Sequence, residues 1–338
     1  MFRLTPLRTL LLLMAIFAFA NAGDGAAAQA DKNEDQVKYY NKLGVEKLKE
    51  NKFEEAVQYF DKAIALKPGD APSWNNKGYA LECKIDYVKA RECYDRAIKL
   101  DPNYAEAWLN KAFCCSPFGA FNEEYFNKAI KLKPGFPEAW CRKGHHLYYE
   151  IVESGWALSK HQSDKEEARK YANEAIGCFD KAITIKPDYA TAWLYKADCY
   201  FLIAETRIGR KEIKTYYEDA IKFYEKAVNL QPDMLNDNVL ENLGISHDNI
   251  GQYDKALKFF DRVKQGINIA YNKGKTFSHM GKYKEAIQCF DKILEQHGEM
   301  HERVKVLDDK GNALKALGKA DEARKCFEEA RKIEKSLR

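Results

Sequence analysis

Few residues in this chain are spaced for chemistry. His297 and His301 stand four apart, as two metal ligands on one helical face would. The run reads His-Gly-Glu-Met-His, however. Its acid falls one place too late for the H-E-x-x-H arrangement that sets a general base beside zinc, and Gly298 weakens a helix there. An exposed loop between repeats is the better reading. Cys141 and His145 are also four apart, and a metal would need two more ligands, such as His146 or Cys114. A half-buried thiol beside a surface imidazole accounts for the same spacing. There is no glycine-rich phosphate loop, no G-x-S-x-G elbow and no kinase signature. The sequence points to a non-enzyme with no metal site and no cofactor.

Nine cysteines are present, an odd number, and none forms a C-x-x-C pair. Cys93, Cys178, Cys289 and Cys326 each directly precede an aromatic in a recurring segment. That recurrence predicts small buried thiols rather than a disulfide framework.

The 338 residues carry 55 Lys+Arg against 51 Asp+Glu, a net charge of +4. Such a balance supplies no strong field for nucleic acid or anionic lipid. A composition 46% hydrophobic and 13% aromatic excludes a disordered chain. Arg3 and Arg8 precede a twelve-residue apolar run, Thr9 to Ala20, and Ala20-Asn21-Ala22 follows. This is the layout of a secretory signal peptide over 1–22, leaving a flexible leader over 23–36. The run is short for a bilayer span, so the expectation is an exported protein, secreted or periplasmic, with no stable membrane span after cleavage. A chain anchored by an uncleaved N-terminal segment is the alternative.

Four segments end alike: YFDKAIALKP (59–68), CYDRAIKLDP (93–102), CFDKAITIKP (178–187) and FYEKAVNLQP (223–232). Counting back from Pro68 defines a 34-residue unit that starts at Val37, with Tyr40, Gly44, Ala56, Phe60, Ala63 and Pro68 at positions 4, 8, 20, 24, 27 and 32. Trp74, Gly78, Ala90, Tyr94, Ala97 and Pro102 take the same positions in the next unit. Weaker copies continue to the C-terminus. The repeats run 37–70, 71–104, 105–136, 137–189, 190–236, 237–266, 267–303 and 304–338. Gly or Ala at position 8 and Ala at position 20 let two helices approach, and the aromatic at position 24 fills the space behind them. Asp70 and Asp188 stand where an N-cap is wanted, and Gly251, Gly281 and Gly318 where a left-handed residue ends a helix. The sixth and seventh units lack the terminal proline, which predicts irregular junctions at 264–267 and 297–304.

This pattern resembles the tetratricopeptide repeat (TPR) family. The resemblance implies an all-α fold, a right-handed α-solenoid of about eight helix–turn–helix units over 37–338. It also implies a concave face lined by positions 2, 5, 9 and 12 of each first helix, where peptides or partner helices bind. Carried onto this chain, that face holds Asn41, Asn75, Tyr79, Phe113, His145, Tyr148, Asp198, Phe201, Tyr271, Lys275 and Asn312. The chaperone-type carboxylate clamp known in the family is incomplete here. Only Asn110 and Arg142 match in units two to four, and only Asn272 and Lys305 in units six to eight. The expected function is a protein–protein interaction scaffold or adaptor with protein partners and no nucleic acid. The alternatives are a cell-envelope assembly or secretion factor whose groove aromatics stack on a glycan or polymer, and an enzyme with a metal at Cys141/His145.

Two units break the spacing. Positions 8 and 20 are normally 12 residues apart, but Gly144 and Ala175 are 31 apart and Ala197 and Ala220 are 23 apart. The excesses approach whole helical turns, and apolar residues continue at helical spacing through both insertions. The fourth and fifth hairpins should therefore be lengthened helices packed together as a ridge. Trp156 should sit near its outer end, and Arg207, Arg210, Lys211 and Lys214 at the tip of the fifth hairpin.

Overall fold

A computed structural model of the chain describes residues 32–115, 123–207, 212–264, 267–295 and 300–336. The expected signal peptide, most of the leader, His297, Arg210 and Lys211 lie outside them. All regular structure among the described residues is helical. The chain divides into two compact units, with the boundary between Ala139 and Trp140.

The first unit contains α1 (32–49), α2 (Phe53–Leu66), α3 (Ala71–Cys83), α4 (Tyr87–Leu100), α5 (Ala105–Cys115) and α6 (Glu123–Leu132). Helix α1 begins within the segment expected to be leader, and Glu34 there pairs with Lys67 at 2.5 Å. The second unit takes most of α7 (Pro137–Ser154), then α8 (Gln162–Ile185), α9 (Ala190–Glu205), α10 (Ile213–Leu230), α11 (Asp237–Asn249) and α12 (Tyr253–Phe260). It closes with α13 (Ile267–His279), α14 (Tyr283–Glu295), α15 (Met300–Ala316) and α16 (Ala320–Ser336). Within each unit consecutive helices pack on each other, and first helices of successive hairpins also touch, α3 with α5, α11 with α13 and α13 with α15. That is the stacking by which repeats bury faces no single hairpin could cover.

Close packing inside each hairpin follows from the small residue at position 8. A methyl added at Gly44, Gly78, Gly144, Gly244, Gly274 or Gly311 would fall 2.3–2.8 Å from the ring of the aromatic at position 24. Those rings include Phe60, Tyr94, Phe179 and Phe290, all fully buried. Three contacts that the sequence did not disclose then join one hairpin to the next. Trp74, Trp108 and Trp193 at position 4 donate their indole N–H to the carbonyls of Pro68, Pro102 and Pro187, at 3.0, 2.9 and 2.9 Å. The proline that stops one hairpin is thus the acceptor for the next. A lysine at position 7 pairs with the aspartate at position 25 of the preceding unit: Lys77–Asp61, Lys111–Asp95, Lys196–Asp180, Lys273–Asp261 and Lys310–Asp291, at 2.5–2.7 Å. Position 5 bonds position 6 of the following unit, as in Asn110 to Asn75 at 3.0 Å.

Caps and junctions differ in part from expectation. The Asp70 carboxylate accepts the Ser73 N–H at 3.0 Å and caps α3. Asp188 does not cap α9; Tyr189 is its N-cap and makes no side-chain cap bond. In Pro68-Gly-Asp-Ala the acid directly precedes the helix, whereas in Pro187-Asp-Tyr-Ala it sits one residue early. Gly251, Gly281 and Gly318 do take the left-handed conformation, at φ 83°, 75° and 78°, and Asn51 and Ile85 occupy the same slot at 59° and 65°. Helix α12 ends at Phe260, but α15 already starts at Met300, so the second junction is helical over 300–304, where irregularity was expected.

The lengthened hairpins are present. Helices α7 and α8 have 18 and 24 residues, and α9 and α10 have 16 and 18, against 13 and 14 in α3 and α4. Leu147, Ile151, Ala168, Ala172 and Ala175 are buried along the fourth hairpin, and Trp156 meets Tyr171 edge-on at 5.3 Å. The Arg169 guanidinium reaches across to the Tyr216 hydroxyl at 3.2 Å, joining the two long hairpins.

Candidate functional site

The residues assigned to the inner face separate into three groups. The first is spent on holding repeats together. The Asn41 amide donates to Ser73 Oγ at 2.7 Å and its oxygen accepts from Asn76 at 3.3 Å. Asn75 is only 6% exposed and accepts from Asn110. The Tyr271 hydroxyl donates to Asp309 at 2.6 Å. For Asn75 the assignment to an open ligand surface is corrected: its position 5 faces the next helix closely enough to bury it.

The second group packs into the second unit. His145 lies against Tyr195, with ring centroids 4.3 Å apart, and burial lowers its pKa, with Arg142 adding to the effect. Tyr148 is held near the same ring at 6.1 Å, and burial pushes its phenol up, helped by Asp198. Asp198 accepts the Tyr224 hydroxyl at 2.5 Å, and the Asn242 amide donates to that hydroxyl at 3.0 Å. Burial pushes the Asp198 carboxyl up to about 6, against the opposing pull of the Tyr224 bond. Phe201 meets Tyr217 edge-on at 6.1 Å. Cys141 is buried in the adjoining core with Cys178 and Cys199. Among the described residues no cluster of three or more His, Cys, Asp or Glu is placed to hold a metal. Cys93, Cys178 and Cys326 are buried as the repeat slot predicted, and Cys289 is half-buried. Burial pushes the Cys93 thiol up to about 11, which suppresses thiolate chemistry.

The third group is partly exposed, and Tyr271 of the first group borders it. In the first unit Val45, Tyr79 and Phe113 occupy position 9 of three successive first helices and remain 37%, 39% and 37% exposed. In the second unit Tyr271 and Lys275 line a pocket of about 340 Å³ built by α9, α11, α13 and α15. Glu241, Ile245, Asp248 and Lys305 join them, all from positions 2, 5, 9 or 12 of their repeats. Asn312 is exposed and lines a neighbouring pocket of about 260 Å³ with Lys275 and Asp309. Arg207 lies in the connection between α9 and α10, the tip of the fifth hairpin, and from there also lines the 340 Å³ pocket with Glu205. The extra turns of α9 carry it there, and nothing in the local sequence signals that direction. Lys214 stays on the fifth hairpin, 3.8 Å from Glu218.

Comparison with known proteins agrees with this architecture. Tetratricopeptide repeat family models match residues 37–70, 71–104, 93–123 and 266–336. The second unit also matches the models of anaphase-promoting complex, cyclosome, subunit 3 (214–293) and of the plant-specific mitochondrial import receptor subunit TOM20 (152–248). An uncharacterized protein of Methanocaldococcus jannaschii is 43% identical over 63 residues, which is 19% of this chain and 73% of that protein. The chloroplastic tetratricopeptide repeat domain-containing protein PYG7 of Arabidopsis thaliana is 38% identical over 52 residues, 15% of this chain and 17% of that protein. Two crystal structures of MamA cover 53% and 59% of this chain and 98% and 97% of theirs, at 21% and 19% identity and TM-scores of 0.41 and 0.40. Stacked hairpins with a small residue at position 8 against an aromatic at position 24, and repeat models matching in both units, make this chain a member of the tetratricopeptide repeat family.

Proposed function

We propose that this protein is a non-catalytic, exported adaptor that binds a partner peptide or helix along the inner face of its first helices. The observation that carries the reading is the exposure of Val45, Tyr79 and Phe113 at one repeat position. Large apolar side chains partly exposed at successive, equivalent positions form an ordered stripe, and aromatics are the residues most used as binding anchors. No helix among the described residues is long and apolar enough to cross a membrane.

The test replaces Tyr79 with a photo-crosslinking phenylalanine and identifies the adduct. The double variant Tyr79→Ala/Phe113→Ala should still fold, melting several degrees lower because both rings are partly buried, yet fail to retain the crosslinked partner below its own melting temperature. Retention of that partner by the folded double variant overturns the reading.

A further inference from the structure

We propose that the joint between the sixth and seventh hairpins is a hinge, and that unlike charges on the two sides of the 340 Å³ pocket draw it closed. The hinge carries α13–α16 relative to the hairpins before them, so it sets how wide the inner face stands there. It rests on packing and charge within the second unit and is independent of the adaptor reading.

The joint is the thinnest in that unit. Helix α12 has 8 residues, against 18 in α10 and 13 in α14. It ends at Phe260, so non-helical chain over 261–264 stands where other second helices continue. Beside that stretch a recess of about 790 Å³ opens between the start of α11 and Arg262 and Lys264. Helix α13 adds one buried apolar side chain, Ile269, to the core of Ala256 and Phe260. Its position 4 is Ala270, which has no indole to bond the preceding hairpin as Trp193 bonds the Pro187 carbonyl. The remaining ties are polar: Lys273 to Asp261 at 2.7 Å, Asn272 to Glu241 at 2.9 Å and His279 to Asp248 at 2.9 Å. Part-exposed ties of this kind each stabilise little, because water replaces them readily. The flanking joints are firmer. Helix α11 gives Val239 and Leu243 to the core of α9 and α10. Helix α15 gives Val306 to the core of α14, and Arg303 near its start donates to the Leu294 carbonyl at 2.8 Å.

The pocket lies across this same joint. On the α9 and α11 side its lining holds Glu205, Glu241 and Asp248 against Arg207 alone, and on the α13 and α15 side it holds Lys275 and Lys305 with no acid. Asp309, on α15, accepts the Tyr271 hydroxyl and lines the neighbouring pocket instead. Lys275 and Lys305 stand 6.0 and 4.9 Å from the Tyr271 ring centroid and make no ion pair with a described residue. An aromatic face holds an ammonium without neutralising it. Unlike charges therefore face each other across the gap, and their attraction narrows it until salt screens them. A regular joint, pinned by an indole, a proline and a full second helix, resists that pull; this one yields.

The test measures distances in the whole chain by double electron–electron resonance. Spin labels carried on p-acetylphenylalanine leave the cysteines untouched. One pair replaces Asn249 on α11 and Asn312 on α15, exposed inner-face residues on opposite sides of the joint. Control pairs at exposed lysines stay on one side of it, Lys181 with Lys226 and Lys284 with Lys332. Spectra are taken at about 0.01 and about 1 M salt, between which the Debye length falls from about 30 to about 3 Å. The spanning pair should be broader than both controls, and its mean should lengthen by about 4 Å, one atomic layer, at high salt. Both controls should stay fixed. Lys275→Met/Lys305→Met, which keeps the aliphatic stems on Tyr271, should show the longer distance at both salts. The proposal is overturned if the spanning pair is as narrow as the controls, if salt does not lengthen it, or if the double variant follows salt as the parent does. The first two results need no pocket variant, so they decide the matter even if the double variant fails to fold.

Discussion

Gly244→Ala places one methyl where the fold has no room for it. The added carbon would lie 2.3 Å from Phe260 Cε1 and 2.7 Å from its Cδ1, more than an ångström inside ordinary contact. Phe260 is 1% exposed and cannot swing into water. Overpacking of this kind costs about 1–3 kcal/mol. Alanine in a helix gains about 1 kcal/mol over glycine, so the net loss is about 0–2 kcal/mol, centred near 1. For a unit the size of the second, that lowers the melting temperature by about 4 °C. The assay is thermal melting by circular dichroism at 222 nm. A double-mutant cycle with Phe260→Leu isolates the clash: with the ring gone, Gly244→Ala should become neutral or stabilising, a coupling of about 2 kcal/mol. Gly177→Ala on α8, which has nothing within 4 Å, should raise the melting temperature through propensity alone. Ala112 and Ala197 occupy position 8 in the third and fifth hairpins, so alanine is acceptable where the helix spacing is built around it. If Gly244→Ala melts at or above the parent temperature, the close approach is not what sets this hairpin's geometry, and the reasoning fails.

Three other outcomes are expected. Asp198 has a carboxyl raised from 3.8 to about 6, so its ionised form destabilises the folded state by about 3 kcal/mol at neutral pH. That penalty is present above about pH 6 and is relieved as pH falls toward 4, so the stability difference between Asp198→Asn and the parent should shrink over that window. A pH-independent difference would refute it. Ile85 is 72% exposed at φ 65°, a conformation costly for a β-branched residue, so Ile85→Gly should stabilise the first unit by about 1 kcal/mol in thermal melts. N-terminal sequencing of the native protein should begin near Gly23, and an intact Met1 on a cytosolic protein would sink the export reading.

The hairpins were legible in the amino-acid sequence because their causes are local. Gly44 and Phe60, or Gly78 and Tyr94, belong to one 34-residue unit, and their spacing alone brings the ring onto the bare backbone. Whole-turn insertions likewise revealed the long helices α7 to α10, since a helix extended by complete turns keeps its apolar stripe on one side. The inner face was less legible. Asn41, Asn75 and Tyr271 occupy the expected positions, yet each is tied to the following repeat, because the stagger between neighbouring first helices brings position 5 beside position 6. Val45, Tyr79 and Phe113, four residues further along their helices, remain 37–39% exposed. Arg207 shows the limit most plainly. Sequence placed it at a hairpin tip, where it is, but did not show that the added length of α9 brings that tip to the pocket lined by Lys275 and Lys305. A periodic sequence determines what each hairpin is; only the packing of one hairpin on the next decides which of its polar groups are consumed and which are left facing a partner, because that depends on register between segments far apart in the chain.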